Sequence, residues 1–163
     1  WDELQDVELK IRSVQVGTGL IEDFPVTTAD GPPHAGLSFD LDLLVAYMLS
    51  LKPPTNPNHL DQTLVQRGAQ VFEDQECGSC HTGPAGTDLQ SHDVGTGSAA
   101  VETRMLYDTP SLRYLWLSAP YFHDGSAATL MDVFMHPGTH ELIKTVEPAD
   151  IDALVAYLLS WSM

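Results

Sequence analysis

The sequence is short of cysteine, of basic side chains and of long apolar runs: 163 residues hold two Cys and seven Lys or Arg against 23 Asp or Glu. Two cysteines three positions apart exclude a disulfide scaffold. A net charge of −16 repels nucleic acid and anionic membranes and favours a basic protein partner. No stretch approaches the ~20 apolar residues of a membrane span, and no basic region followed by an apolar segment opens the chain as a signal peptide would. The expectation is a soluble globular chain without a membrane span, and an apolar content of 43% suffices for a core. The start at Trp1, with Asp2, Glu3 and Asp6 close behind, reads as a cut inside a longer protein or a processed mature end.

A repeat organises the chain. Residues 41–51, LDLLVAYMLSL, and residues 151–161, IDALVAYLLSW, agree at seven of eleven positions at an offset of 110. Leu41, Leu44, Val45 and Met48 fall at helical spacing, as do Ile151, Leu154, Val155 and Leu158, so each copy predicts a helix with one buried face. Each is expected to end a domain. The stretch after the first copy, Lys52-Pro53-Pro54-Thr55-Asn56-Pro57-Asn58, has three prolines and no periodicity, so residues 53–59 read as a linker. Two further helices are expected. One runs from Leu60 to Asp74 with Leu64, Gly68, Val71 and Phe72 on a face; the other runs from Thr129 to Met135 and is stopped by Pro137-Gly138. Thr82 to Arg104, with Gly83, Gly86, Gly95 and Gly97, reads as a loop wrapped on a cofactor. Residues 1–40 offer no convincing element, so 1–52 is expected to be the tail of a preceding domain and 60–163 a second domain.

Chemistry concentrates in Cys77-Gly78-Ser79-Cys80-His81. A spacing of three puts both sulfurs on one side of a helical turn, where each can form a thioether to a porphyrin vinyl group, and the following histidine lies under the iron. Neutral imidazole ligates iron through one nitrogen, and the other is expected to donate to a carbonyl that fixes the ring; Pro84 is a nearby candidate. Zinc is an alternative, with Cys77, Cys80 and two histidines as its four ligands, but no second spaced pair is present. A thiol redox pair would sit in a βαβ pattern, which is absent.

Gly68-x-x-x-Phe72, the Cys-x-x-Cys-His run, His92-Asp93-Val94-Gly95-Thr96, Asp108-Thr109-Pro110-Ser111-Leu112-Arg113 and Ala119-Pro120-Tyr121-Phe122-His123-Asp124-Gly125-Ser126 follow one another in an order that resembles the carboxy-terminal haem domain of bacterial di-haem cytochrome c peroxidases and MauG-type proteins. The resemblance covers residues 60–163. It implies an all-α, class I cytochrome c-like domain behind a mostly irregular extension that ends in a helix. In that fold the first helix crosses the last; Gly68 would let the two backbones approach, with Phe72 and Tyr157 packed at the crossing. It also implies one covalent haem c, a second haem domain in the same parent chain whose last helix is the copy at 41–51, a small redox donor protein, and a periplasmic or otherwise extracytoplasmic location. The tail could instead belong to an unrelated upstream domain such as a β-propeller.

The far side of the iron decides the role. Methionine opposite histidine raises the potential and closes the iron to substrate. In the family that methionine immediately precedes the glycine that is here Gly138, and this sequence has Pro137 there. Met135 is the first candidate in its place and His136 the alternative, which would give a lower-potential bis-histidine site. Met105 and Met131 are further candidates, an open iron is another outcome, and His140 matches a position that is not a ligand in the family. The resemblance puts Tyr121 and His123 beside the haem, His123 at the propionates, and Arg113 could pair a propionate. The carbonyls of Ser118 and Pro120 match two that help hold Ca²⁺ in the family, and Tyr114 and Trp116 could relay electrons or simply pack. His34, His59 and His92 read as loop histidines. The expected function is electron transfer between the donor and the upstream haem. The alternative is a peroxidase with an open distal face, for which Asp124 and Glu102 are the candidate acid or base groups.

Overall fold

In the computed structural model, residues 38–97 and 105–162, with Ile11, Gly17, Gly19 and Gly36, are described. The irregular reading of the first 37 residues, and the roles raised for His34 and Glu102, lie outside them. The chain divides into two units, residues 1–54 and 55–163.

The described part of the first unit is helix α1, Phe39–Ser50. Ser38 opens it by accepting the Leu41 N–H, and Asp40 and Asp42 sit in the first turn, where carboxylates oppose the positive end of the helix dipole. Leu41 and Val45 are buried, whereas Phe39, Tyr47 and Leu49 are well exposed. The expected stripe is thus narrower than its spacing suggests, since Met48 is also exposed.

The second unit is built on α2, Gln62–Asp74, and α4, Pro148–Ser160. Asp61 caps α2 through the Thr63 N–H at 2.8 Å, and Pro148 starts α4 where a missing N–H costs nothing. The helices cross at Gly68, which is buried; a Cβ there would lie 2.0 Å from the Ala153 carbonyl oxygen and 2.7 Å from Tyr157 Cβ. Only glycine permits this approach. Phe72 then meets Tyr157 edge-on at 5.5 Å and Trp161 at 6.1 Å, and Arg67 forks onto Asp150 through two 2.7 Å bonds. Asn56, within the proline-rich stretch, donates to the Leu159 carbonyl at 2.7 Å and so satisfies one of the orphan acceptors at the end of α4.

Helix α3, Leu130–Met135, begins with a reciprocal cap between Thr129 and Asp132. Its Leu130, Val133 and Phe134 join Val71, Phe72, Leu112, Leu115, Ile151, Leu154 and Leu158 in one core. One feature departs from a purely helical expectation: Ser91–His92 (β1) pairs antiparallel with Tyr107–Asp108 (β2). The pair is pinned by Ser91 Oγ on the Asp108 carboxylate and by the Thr109 N–H on the Gln90 carbonyl at 2.8 Å. Among the described residues no helix is long and apolar enough to cross a membrane.

Candidate functional site

Helix α2 ends at Gln75, and Glu76 takes a left-handed conformation that redirects the chain into a tight turn at Cys77–Ser79. The His81 N–H closes on the Cys77 carbonyl at 3.0 Å, which gathers Cys77, Cys80 and His81 on one turn. Cys77 packs against the hydrophobic core, and burial pushes its thiol pKa up. A raised pKa keeps the sulfur protonated, the opposite of what a thiol redox pair needs.

His81 Nδ1 lies 2.9 Å from the Gly86 carbonyl oxygen. A carbonyl only accepts, so Nδ1 carries the proton and Nε2 keeps its lone pair for a metal. The orienting carbonyl is therefore that of Gly86 and not that of Pro84, which instead accepts from Arg113 Nε at 2.9 Å. Gly86 is buried at φ +64, and a Cβ there would meet Trp161, at 2.7 Å, and Leu112, at 2.8 Å. The loop around it is tied down by the Leu112 N–H and Ser111 hydroxyl on the Ala85 carbonyl, at 3.1 and 2.6 Å.

Across from His81 stands His140, ring centres 6.3 Å apart. Burial first, and then His81, lower the His140 pKa, which favours the neutral imidazole. Phe122 flanks it at 6.1 Å and flanks His136 at 5.1 Å. Phe122 reaches this place from a left-handed backbone, φ 66, at a cost of about 1–2 kcal/mol for a side-chain-bearing residue; the Tyr121–Ala127 bridge holds it there. The segment after α3 lies against the loop of residues 94–97: the Thr139 N–H reaches the Val94 carbonyl at 3.3 Å, and a Cβ on Gly138 would lie 2.5 Å from that same oxygen.

The other sequence candidates fall as follows. Met135 is 54% exposed. His136 is half-buried, with Nδ1 2.9 Å from its neighbour's carbonyl, Pro137 O. Met131 packs on the core, and Met105 sits beside Gly97. The Tyr121 hydroxyl donates to the Leu115 carbonyl at 2.9 Å. His123 is exposed, stacks on Tyr107 at 3.8 Å and lies 3.4 Å from the Thr96 hydroxyl. Asp124, exposed, has its pKa lowered by the Ser126 hydroxyl first and then by the Ser126 N–H, which it accepts at 2.9 Å. Ser118 and Pro120 are exposed, as is His59. His92 does have a partner: its Nε2 is 2.7 Å from Asp88, whose carboxyl is lowered to about 2 by the Gln90 N–H first and by His92 next. Cys80, Asp88 and His92 bring their ligand atoms within 4.8 Å of one another. That group omits Cys77 and His81, so it does not assemble the four-ligand zinc set.

The residues fit a covalent haem. Two thiols share a turn with an imidazole whose outer nitrogen is occupied, and the Tyr114 hydroxyl, Trp116 Nε1 and His140 Nδ1 are buried with no hydrogen-bond partner among the described residues. Buried polar atoms are almost always paired, so the unpartnered His140 Nδ1, on the ring that faces His81, suits a site that accommodates a further group. In the sequence, the signal for His140 is its spacing four residues after His136.

The cytochrome c family profile matches residues 65–162. Hydrazine synthase subunit gamma of Kuenenia stuttgartiensis is 30% identical over 72% of this chain and 48% of its own length. The cytochrome c551 peroxidase of Pseudomonas aeruginosa is 31% identical over 80% of this chain and 46% of its own. The methylamine utilization protein MauG of Methylophilus methylotrophus is 36% identical over 44% of this chain and 25% of its own. A solved structure of the Kuenenia stuttgartiensis hydrazine synthase superposes with a TM-score of 0.60 and 28% identity, covering 72% of this chain and 54% of the matched one. The chain spans about half the length of the first two relatives.

Proposed function

The chain belongs to the cytochrome c family, in its di-haem cytochrome c peroxidase and MauG-type branch, and from that premise we propose that residues 60–163 form an electron-transfer domain with one covalent haem c. Cys77 and Cys80 hold the group through thioethers, and His81 Nε2 is the proximal ligand. A haem in this position supplies one-electron chemistry at its iron. The observation that carries the reading is the His81 Nδ1 contact with Gly86, which presets the tautomer and ring angle before any metal is bound and so keeps reorganisation small.

The second haem, in the same parent chain upstream of residue 53, is part of this proposal, as is a location outside the cytoplasm. The donor is a small redox protein with a basic face, chosen by the −16 charge. Arg113, whose Nε donates to the Pro84 carbonyl, would offer its terminal nitrogens to a propionate, and His123, stacked on Tyr107, is the second residue proposed to lie beside the propionates. A Ca²⁺ held in part by the Ser118 and Pro120 carbonyls belongs to the same proposal, with its remaining oxygens, out of about 6–8, supplied from elsewhere.

Two measurements test the role on full-length chain matured with haem. Electron transfer predicts low-spin ferric iron that resists cyanide, and reduction by a basic donor protein at a rate that falls steeply with salt. High-spin iron that takes cyanide readily, with peroxide turnover by this chain alone, would establish the peroxidase reading instead.

A further inference from the structure

We propose that His140 is the sixth ligand, so that the haem carried by this chain is bis-histidine, closed to small ligands on both faces. The inference rests on the covalent-haem reading of Cys77, Cys80 and His81 and adds to it the identity of the distal group.

Two imidazoles bound to opposite faces of one metal have a fixed separation. Metal–nitrogen bonds of about 2 Å on each side, and about 1 Å from each nitrogen to its ring centre, put the centres about 6 Å apart. The His81 and His140 rings are 6.3 Å apart. A direct hydrogen bond or a parallel stack would bring the rings closer, and the 47° tilt between them is not that of a stack. The His140 ring is also half-buried with Nδ1 shut away from solvent and without a partner among the described residues.

The competitors fare worse on the same measures. Met135 turns outward at 54% exposure because α3 directs Leu130, Val133 and Phe134 into the core; the next position on that stripe is 137, and it is proline. His136 packs edge-on against Phe122, whereas the ring that faces His81 is that of His140. Loop anchoring favours His140 as well. Gly138 fits against Val94 with no room for a side chain, and the Thr139 N–H bonds the Val94 carbonyl, so the residue before His140 is held in place. The functional consequence is a lower potential than a His/Met haem would have, which suits a site that hands electrons onward to a stronger oxidant.

The test uses full-length protein from a host that attaches haem, with covalent haem confirmed by mass for each variant. The wild type is expected to give a low-spin ferric spectrum lacking the thioether-to-iron charge-transfer band. His140→Ala is expected to turn high-spin, to bind cyanide at least tenfold faster, and to return to low spin with added imidazole. His140→Met is expected to acquire the thioether band, while His136→Ala and Met135→Ala keep the wild-type spectrum. A thioether band in the wild type, or loss of low spin in His136→Ala with His140→Ala unchanged, overturns the assignment while leaving the haem intact. A wild type that carries no covalent haem fails the underlying reading instead.

Discussion

Replacing Gly86 with alanine perturbs the contact on which the proximal side depends. The residue sits at φ +64, and a Cβ would come within 2.7 Å of Trp161 Cζ3 and 2.8 Å of Leu112 Cβ. The left-handed backbone alone costs about 1–2 kcal/mol for a residue with a side chain. Overpacking against two well-seated neighbours adds about 1–3 kcal/mol. Gly83 supplies the control: it has nearly the same φ, +63, and nothing within 4 Å of its Cβ position, so Gly83→Ala bears the backbone cost and no clash. Any stabilisation of alanine through the unfolded chain is common to both and cancels in the difference. Gly86→Ala is therefore expected to be less stable than Gly83→Ala by about 1–3 kcal/mol, or about 5–15 °C in midpoint for a unit of this size. Thermal unfolding followed by far-ultraviolet dichroism reads this difference. The same shift of backbone moves the Gly86 carbonyl off His81 Nδ1, which makes the imidazole less basic and raises the haem potential. Equal midpoints for the two variants, or an unchanged potential in Gly86→Ala, would refute the reasoning.

Three further outcomes are expected. Gly68→Ala gains about 1 kcal/mol in helix propensity yet forces the α2–α4 backbones apart at a 2.0 Å contact, so a net loss of about 2 kcal/mol is expected by chemical denaturation. Tyr121→Phe removes the bond to the Leu115 carbonyl and should cost about 1 kcal/mol while leaving the haem absorption spectrum unaltered. Asp88 is depressed from 3.8 to about 2, so its contribution is present above its ordinary value and lost as pH falls through about 2; Asp88→Asn should flatten the acid decline of the midpoint across that window.

The helical frame was legible because it is written in periodicity. Gly68, Val71 and Phe72 against Ile151, Leu154 and Leu158 lie at helical spacing, whereas the crossing at Gly68 with Phe72 beside Tyr157 was legible only through the family resemblance. The repeat was equally visible, yet its two copies differ in burial: Leu41 and Ile151 are both fully buried, whereas Tyr47 is exposed and Tyr157 packs on Phe72. The β1–β2 pair escaped notice, since two residues per strand carry no measurable alternation. At the site, Cys77, Cys80 and His81 were readable from spacing alone. The partner of His81 was not, because which carbonyl a tight turn aims at the ring depends on the dihedrals of Gly83 and Gly86. The outward turn of Met135 was readable in principle, from the three core positions of α3 and where the next inward one must fall. His140 could be seen opposite His81 only once the segment after α3 had been placed against Val94 and Gly95.

The most direct test of the account is the mass of the denatured chain after expression in a host with haem-attachment machinery. One covalent haem, absent from a Cys77→Ala/Cys80→Ala variant, is the predicted result. An unmodified mass for the wild type, with free thiols at both positions, would contradict it.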